Sequence, residues 1–372
     1  MKVINSPRRV DIEITSKCNQ RCKYCNHFSS AGDIDDELTT EEWLVFFQEL
    51  GRNSVMKVCL QGGEPLLRPD FKELVEGIVK NNMRFDLLSN CGLLDRETAL
   101  FLHNTGRCDG VQLSIDGSTA KTHDSLRGRG TFDKTVVAIK MLQEHQVPVS
   151  VRVTLHKLNN KELPQIAHFL LEELKLKFFS INSVSYMGLC REYAGEIQLD
   201  VDDRLYAMET LLSLKRKYNG RISATSGPLF DAVQFLRMEQ ARLKNSAPFP
   251  NCGYLSACGC VFYFMGVRAD GIMVPCILLP HIELGRINHD SLSQIWQEHP
   301  ELNRLRERRS IPLMEIESCR SCGYINYCTG NCPALAYNLL GNDRHPNPAA
   351  CLKQFLEAGG RLPNAQILVE NN

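Results

Sequence analysis

Six short apolar runs with strand-like texture punctuate the first 190 or so residues, at 10–15, 55–60, 84–89, 110–115, 147–155 and 178–183. Amphipathic stretches lie between them. Thr39 and Glu42 form a capping-box signature ahead of Trp43, Phe47 and Leu50. After Pro69, the apolar positions Phe71, Leu74, Val75, Ile78 and Val79 follow the helical period. Strands alternating with helices at this pitch predict βα units and a parallel sheet, either a barrel or a doubly wound sheet.

Residues 200–218 read as a further helix and 219–250 as a less regular connection. From Cys252 the texture changes: cysteines crowd, strands shorten, and Asp270-Gly271 reads as a two-residue hairpin turn. Short helices follow at 291–298 and 301–308. The pattern divides the chain into a core at 1–225, a linker at 226–250, a small second domain at 251–355 and a tail at 356–372.

Composition adds one anomaly. The chain has 372 residues, 43% hydrophobic and 23% charged, as in an ordinary globular protein. Lys plus Arg equals Asp plus Glu at 43 each, so no overall field draws it to nucleic acid or anionic lipid. The N-terminus lacks a signal-peptide h-region, and no stretch approaches the roughly 18 apolar residues of a membrane span. A cytoplasmic protein with neither nucleic-acid nor membrane partners is expected. Sixteen cysteines are then too many for chance, and in a reducing compartment clustered cysteines point to metal rather than disulfides.

Cys18, Cys22 and Cys25 stand at C-x3-C-x2-C directly after the first predicted strand, where barrel folds place their chemistry. Three thiolates can bind three irons of a cubane. Such clusters normally take four cysteines, so a missing fourth leaves one iron open. Zinc is the alternative, with His27 as fourth ligand. The spacing, with Tyr24 before the third cysteine, resembles the signature of the radical S-adenosylmethionine (SAM) superfamily. The resemblance implies a [4Fe–4S] cluster whose open iron is chelated by SAM. An electron from the cluster cleaves SAM to methionine and a 5′-deoxyadenosyl radical, which abstracts hydrogen from the substrate. It also implies a partial (β/α)6 TIM-like barrel, which the six runs match.

Further motifs carry the same resemblance. Gly62-Gly63-Glu64-Pro65 is similar to the segment that holds the SAM amino group: the glycines would admit a ligand close to the backbone and the carboxylate would pair with an ammonium. Ser89-Asn90 and Ser114-Ile115-Asp116-Gly117 end the third and fourth strands, where the family contacts the SAM ribose and methionine moieties. The alternative for each is capping or turn formation. Arg127, in the family-like segment HDSLRGRGTF, or Arg152 would pair with the SAM carboxylate; the sequence does not choose between them.

Near the C-terminus, Cys319-x2-Cys322-x5-Cys328-x3-Cys332 and Cys351 follow Gly271-x4-Cys276, with Cys252, Cys258 and Cys260 upstream. The array resembles the SPASM domain and implies two auxiliary [4Fe–4S] clusters. One would use Cys276, Cys332 and two of Cys252, Cys258 and Cys260. The other would use Cys319, Cys322, Cys328 and Cys351. Among the remaining cysteines, Cys59 reads as a core residue. Cys190, after the sixth strand, is the candidate catalytic thiol.

Proteins with this domain pair mostly modify peptides. The resemblance, extending to maturases of SynChlorMet-type cassettes, therefore implies an oxidoreductase that matures a ribosomally made peptide by cross-link, thioether, epimerisation or oxidation. Ile277 stands where sulfatase-maturing relatives carry an Asp, which disfavours serine-to-formylglycine oxidation. Only seventeen residues precede Cys18, so a separate PqqD-like protein is expected to present a leader-bearing substrate. A flavodoxin or ferredoxin is expected as electron donor. The alternative is a dehydrogenase acting on a sugar or aminocyclitol; a non-catalytic electron-transfer protein would cleave no SAM.

Overall fold

In a computed structural model, described over residues 3–27 and 36–364, ten strands form among the described residues. They are β1 (Arg9–Thr15), β2 (Lys57–Gly62), β3 (Arg84–Leu88), β4 (Cys108–Ser114), β5 (Val149–Leu155), β6 (Phe179–Ser183), β7 (Ile222–Ser223), β8 (Phe264–Val267), β9 (Ile272–Val274) and β10 (Gly285–Arg286). The first six lie where the apolar runs place them. The chain packs as two compact units.

The first unit comprises residues 1–114, 127–150 and 259–306. Its strands run in the order β10-β9-β8-β1-β2-β3-β4. β1 is the centre, parallel to β2 on one side and to β8 on the other. Its residues Val10, Ile12 and Ile14, which share one face of the strand, have no solvent exposure, as a face turned to the core requires. The helix Thr40–Arg52 begins with the expected capping box and buries Trp43, Phe46, Phe47 and Leu50. Trp43 stacks on Phe47 with ring centroids 6.2 Å apart.

The second unit comprises residues 115–126, 151–258 and 307–372. It holds most of β5 with β6 and β7, all parallel. The expected helix appears at Val201–Lys217.

Three expectations need correction. The connection 219–250 contains a helix, Pro228–Leu243, of 16 residues. Pro at its first turn and the buried Leu229, Ala232, Phe235 and Leu236 at helical spacing were its signals. Residues 259–306 do not stand apart after residue 250, because β8 pairs along β1, Arg9 opposite Phe264 and Ile12 opposite Val267. The hairpin β8–β9 exists, but Arg268 and Ile272 close it around a three-residue loop. Gly271 sits there at φ +84°, where a side chain would strain the backbone.

Candidate active site and cluster-binding cysteines

The cysteine triplet leaves β1 over a built support. Glu37 accepts from the Ser16 amide at 2.7 Å, Thr15 Oγ1 at 2.8 Å and Ser16 Oγ at 2.9 Å. Arg68 donates Nη1 to the Ile14 carbonyl at 2.9 Å and pairs with Asp70. The loop turns on itself, Cys25 N–H to Cys22 carbonyl, 2.9 Å. Burial raises the Cys18 thiol pKa, partly offset by the Gln20 N–H, which lies 3.4 Å from Sγ; Glu64 and Cys25 add to the rise. A thiol in the field of a second thiol marks sulfurs that converge, and iron would take their protons.

His27 is not aimed at these sulfurs. Its Nε2 lies 2.8 Å from the Ser16 carbonyl and its Nδ1 3.3 Å from Glu13 Oε1. Among the described residues no three His, Cys, Asp or Glu side chains close on one point as a single ion demands. The triplet therefore has no preformed zinc tetrahedron. Three thiols spaced along an open loop suit the wider face of a cubane.

The Gly-Gly-Glu segment serves this loop first. A Cβ on Gly62 would stand 2.2 Å from the Thr15 carbonyl oxygen, and one on Gly63 2.1 Å from that of Lys17. The glycines thus permit the approach of the chain's own backbone, closed by Gly63 N–H to Thr15 O (2.9 Å) and Glu64 N–H to Lys17 O (2.8 Å). The expected free carboxylate is absent. Glu64 is fully buried and accepts from Ser89 Oγ (2.7 Å), Asn90 N (2.7 Å) and Leu66 N (3.0 Å). Burial raises its pKa while these bonds oppose the rise. Glu64 and Ser89 thus support the backbone at Asn90.

Asn90 reaches the cysteine loop. Its Nδ2 donates to Asn19 Oδ1 at 2.8 Å and lies 3.9 Å from Cys18 Sγ. Asn19 went unnoticed in the sequence because it carries no motif signal beyond its place between ligand cysteines. Tyr24 lies under the Arg127 guanidinium, 5.3 Å from the ring centroid, a cation–π geometry. Ser114 is half-buried at the end of β4, and its hydroxyl takes no hydrogen bond among the described residues.

Two further candidate residues lie in the interior. Asp116 is fully buried, with Oδ1 accepting from the Thr154 amide at 2.7 Å and its own N–H donating to His123 Nδ1 at 3.1 Å. It ties a turn to β5. Cys190 is also fully buried at a helix start, and burial raises its pKa. Arg152 donates Nε to Ser180 Oγ at 2.7 Å, and Asn182, with its amide turned to satisfy both neighbours, accepts from Nη1 at 2.7 Å.

In the second unit, Cys319, Cys322, Cys328 and Cys351 gather. The Cys328 thiol is pushed up to about 12, chiefly by burial, opposed by the Gly330 N–H, with Cys351, Cys319 and Cys322 adding to the rise. Burial likewise raises Cys319 and Cys351, each with other members of the four adding to the shift. Cys252 differs: burial raises it, the Arg237 guanidinium lowers it, and no thiol contributes. Cys258 takes φ +48° and Cys260 is buried in a short 3-10 turn. Cys276 Sγ accepts from the Leu278 amide at 3.5 Å.

A cavity of about 310 Å³ opens in the same unit. It is bounded by the end of β6 at Ser183, the Gly227-Pro228 helix start, Arg204, Asp231, Asn338 and Cys332. Arg204 Nη2 donates to Asp231 Oδ2 at 3.2 Å and to the Ala349 carbonyl at 2.9 Å. Burial lifts the Asp231 carboxyl from 3.8 to about 7, only partly offset by Arg204. The folded protein holds that proton more tightly than the unfolded chain. Its stability therefore falls as pH rises from about 4 to about 7 and is level beyond. Asp231→Asn should flatten this limb, seen as a smaller drop in apparent Tm between pH 5 and pH 8.

The model of the radical SAM superfamily matches residues 12–170, and that of the iron–sulfur cluster-binding SPASM domain residues 258–323. The chain is 27% identical over 348 residues to an AdoMet-dependent heme synthase of Methanosarcina barkeri, covering 92% of this chain and 96% of the relative. It is 26% identical over 357 residues to the PqqA peptide cyclase of Bradyrhizobium diazoefficiens, covering 94% and 88%. The fold matches that of Streptococcus suis SuiB bound to precursor peptide SuiA, with a TM-score of 0.71 at 17% identity over 94% of this chain and 77% of that one. No described helix is long and apolar enough to cross a membrane. With both domain models matched, the chain belongs to the radical SAM superfamily, as an enzyme that uses SAM and [4Fe–4S] clusters and carries a SPASM domain.

Proposed function

We propose that this enzyme matures a ribosomally made peptide, forming a cross-link or thioether, epimerising a residue or oxidising a side chain. The observation that carries the reading is the cavity beside Cys332. Its one cation, Arg204, is held by Asp231, and hydroxyls and carboxamides (Ser183, Thr225, Asn331, Asn338) mix with apolar walls. A surface of donors and acceptors with little charge suits a peptide backbone better than a highly charged metabolite. The PqqA peptide cyclase relative acts, by its name, on a peptide. Ile277, at the position of the acid in sulfatase-maturing relatives, packs on β8, its Cδ1 2.7 Å from where a Gly266 Cβ would stand.

Cys18, Cys22 and Cys25 are assigned to the SAM-binding cluster and Cys319, Cys322, Cys328 and Cys351 to one auxiliary cluster. Cys276 and Cys332 are assigned to the other, with Cys258 and Cys260 preferred over the isolated Cys252. Bound SAM, cleaved by an electron from the first cluster, supplies the radical that takes hydrogen from the substrate. Around it, Asn90 orients Cys18, Ser114 offers a free hydroxyl, and the Arg127–Tyr24 stack fixes the loop. A cytoplasmic setting, a flavodoxin or ferredoxin donor and a PqqD-like presenting protein belong to the same proposal.

The test is incubation of the reconstituted enzyme with the short peptide encoded beside its gene. Peptide mass loss in step with 5′-deoxyadenosine release supports the reading, and turnover of a sugar or aminocyclitol instead would replace it. Within it, Arg204→Gln should raise the peptide KM about tenfold, roughly 1.4 kcal/mol of binding, with kcat little changed.

A further inference from the structure

Arg308 is a fully buried guanidinium that the chemistry above does not use. Burying such a charge costs several kcal/mol unless its donors are met. Here they are met by backbone carbonyls from two segments: Nη1 by Ser256, Nε by Asp343 at 2.6 Å and Nη2 by His345 at 3.1 Å. Ser256 lies two residues before Cys258, and His345 six before Cys351. The same region is stitched by Ser256 N–H to Thr329 O (2.6 Å), Gly253 N–H to Cys328 O (2.9 Å) and Asn347 N–H to Gly330 O (2.8 Å). The charge thus sits at the hub of the loops that carry the cysteines.

From that hub a chain of contacts reaches a sulfur. His345 Nδ1 lies 2.8 Å from the Pro346 carbonyl, which only accepts, so the hydrogen is assigned to Nδ1 and Nε2 is left as acceptor. Ser318 Oγ lies 3.2 Å from that Nε2 and 3.9 Å from Cys319 Sγ. We propose that Arg308 is a positioning residue for the auxiliary cluster of Cys319, Cys322, Cys328 and Cys351, holding His345 so that His345, through Ser318, sets the polar environment of Cys319 Sγ. Partners of this kind orient ligands and tune the bound metal. The inference rests on the assignment of those four cysteines.

The full chain, with Cys18, Cys22 and Cys25 all changed to Ala, is reconstituted anaerobically so that only the C-terminal clusters remain, about eight irons. Potentiometric titration followed by electron paramagnetic resonance then reports two potentials. In this background Ser318→Ala, at an exposed residue, should keep the iron and shift one potential while the other stays. Arg308→Gln should lose about four irons or show the same shift with a broadened signal, and Arg308→Lys should recover much of the iron. Unchanged potentials in Ser318→Ala, together with full iron in Arg308→Gln, would overturn the proposal. Cys328→Ala is the control: if it too retains about eight irons, the cysteine assignment fails, whatever Arg308 does.

Discussion

Replacing Cys22 by Ala is expected to abolish 5′-deoxyadenosine formation while sparing the downstream clusters. Iron should fall from about twelve to about eight per chain, one cubane of the three. The selectivity follows from placement. Cys22 sits on the β1 loop of the first unit, whereas Cys319, Cys322, Cys328 and Cys351 belong to the second. Anaerobic iron and sulfide counting with a dithionite-driven SAM cleavage assay decides it. A variant that still released 5′-deoxyadenosine would show that the triplet has been misassigned.

Gly63→Ala should do nearly as much damage without touching a ligand. The added methyl would stand 2.1 Å from the Lys17 oxygen and 2.5 Å from its carbonyl carbon. Both are backbone atoms and cannot swing aside, so the cysteine loop itself must move, at a cost of about 3 kcal/mol or more. We expect loss of about four irons and of SAM cleavage, with the C-terminal clusters intact. Glu64→Gln is the milder companion: it keeps the shape but leaves one donor facing an amide hydrogen, worth about 1–3 kcal/mol. If Gly63→Ala assembled a normal cluster, the close packing of these two loops would not matter to the site.

Much of this was legible in one dimension. The strand runs stand out because most of β1 to β6 alternate buried apolar positions with less buried ones, and the capping box at Thr39 and Glu42 is local chemistry that tertiary context leaves alone. Cysteine spacing named the metal chemistry. Side-chain direction was not legible: Glu64, Ser89 and Asp116 stand at strand ends, where one turn of backbone decides between facing a ligand and facing the interior, and all three face inward. Cys190 follows the same logic. The helix Pro228–Leu243 was readable but was obscured by the polar, irregular residues on either side of it. Arg308 had no signal at all, since its partners are carbonyls that any sequence supplies.

The pairing of β8 with β1 has a consequence for how the protein is made. β1 leaves the ribosome long before β8, the neighbour that spans residues 264–267. At roughly 5–20 residues per second, β1 waits about ten to fifty seconds with one edge unpaired. During that interval the nascent chain exposes a row of backbone donors and acceptors, together with three thiols just beyond it. A chaperone that shields this edge, or iron delivery held back until β8 arrives, would raise the yield of active enzyme, and a product truncated near residue 250 should aggregate.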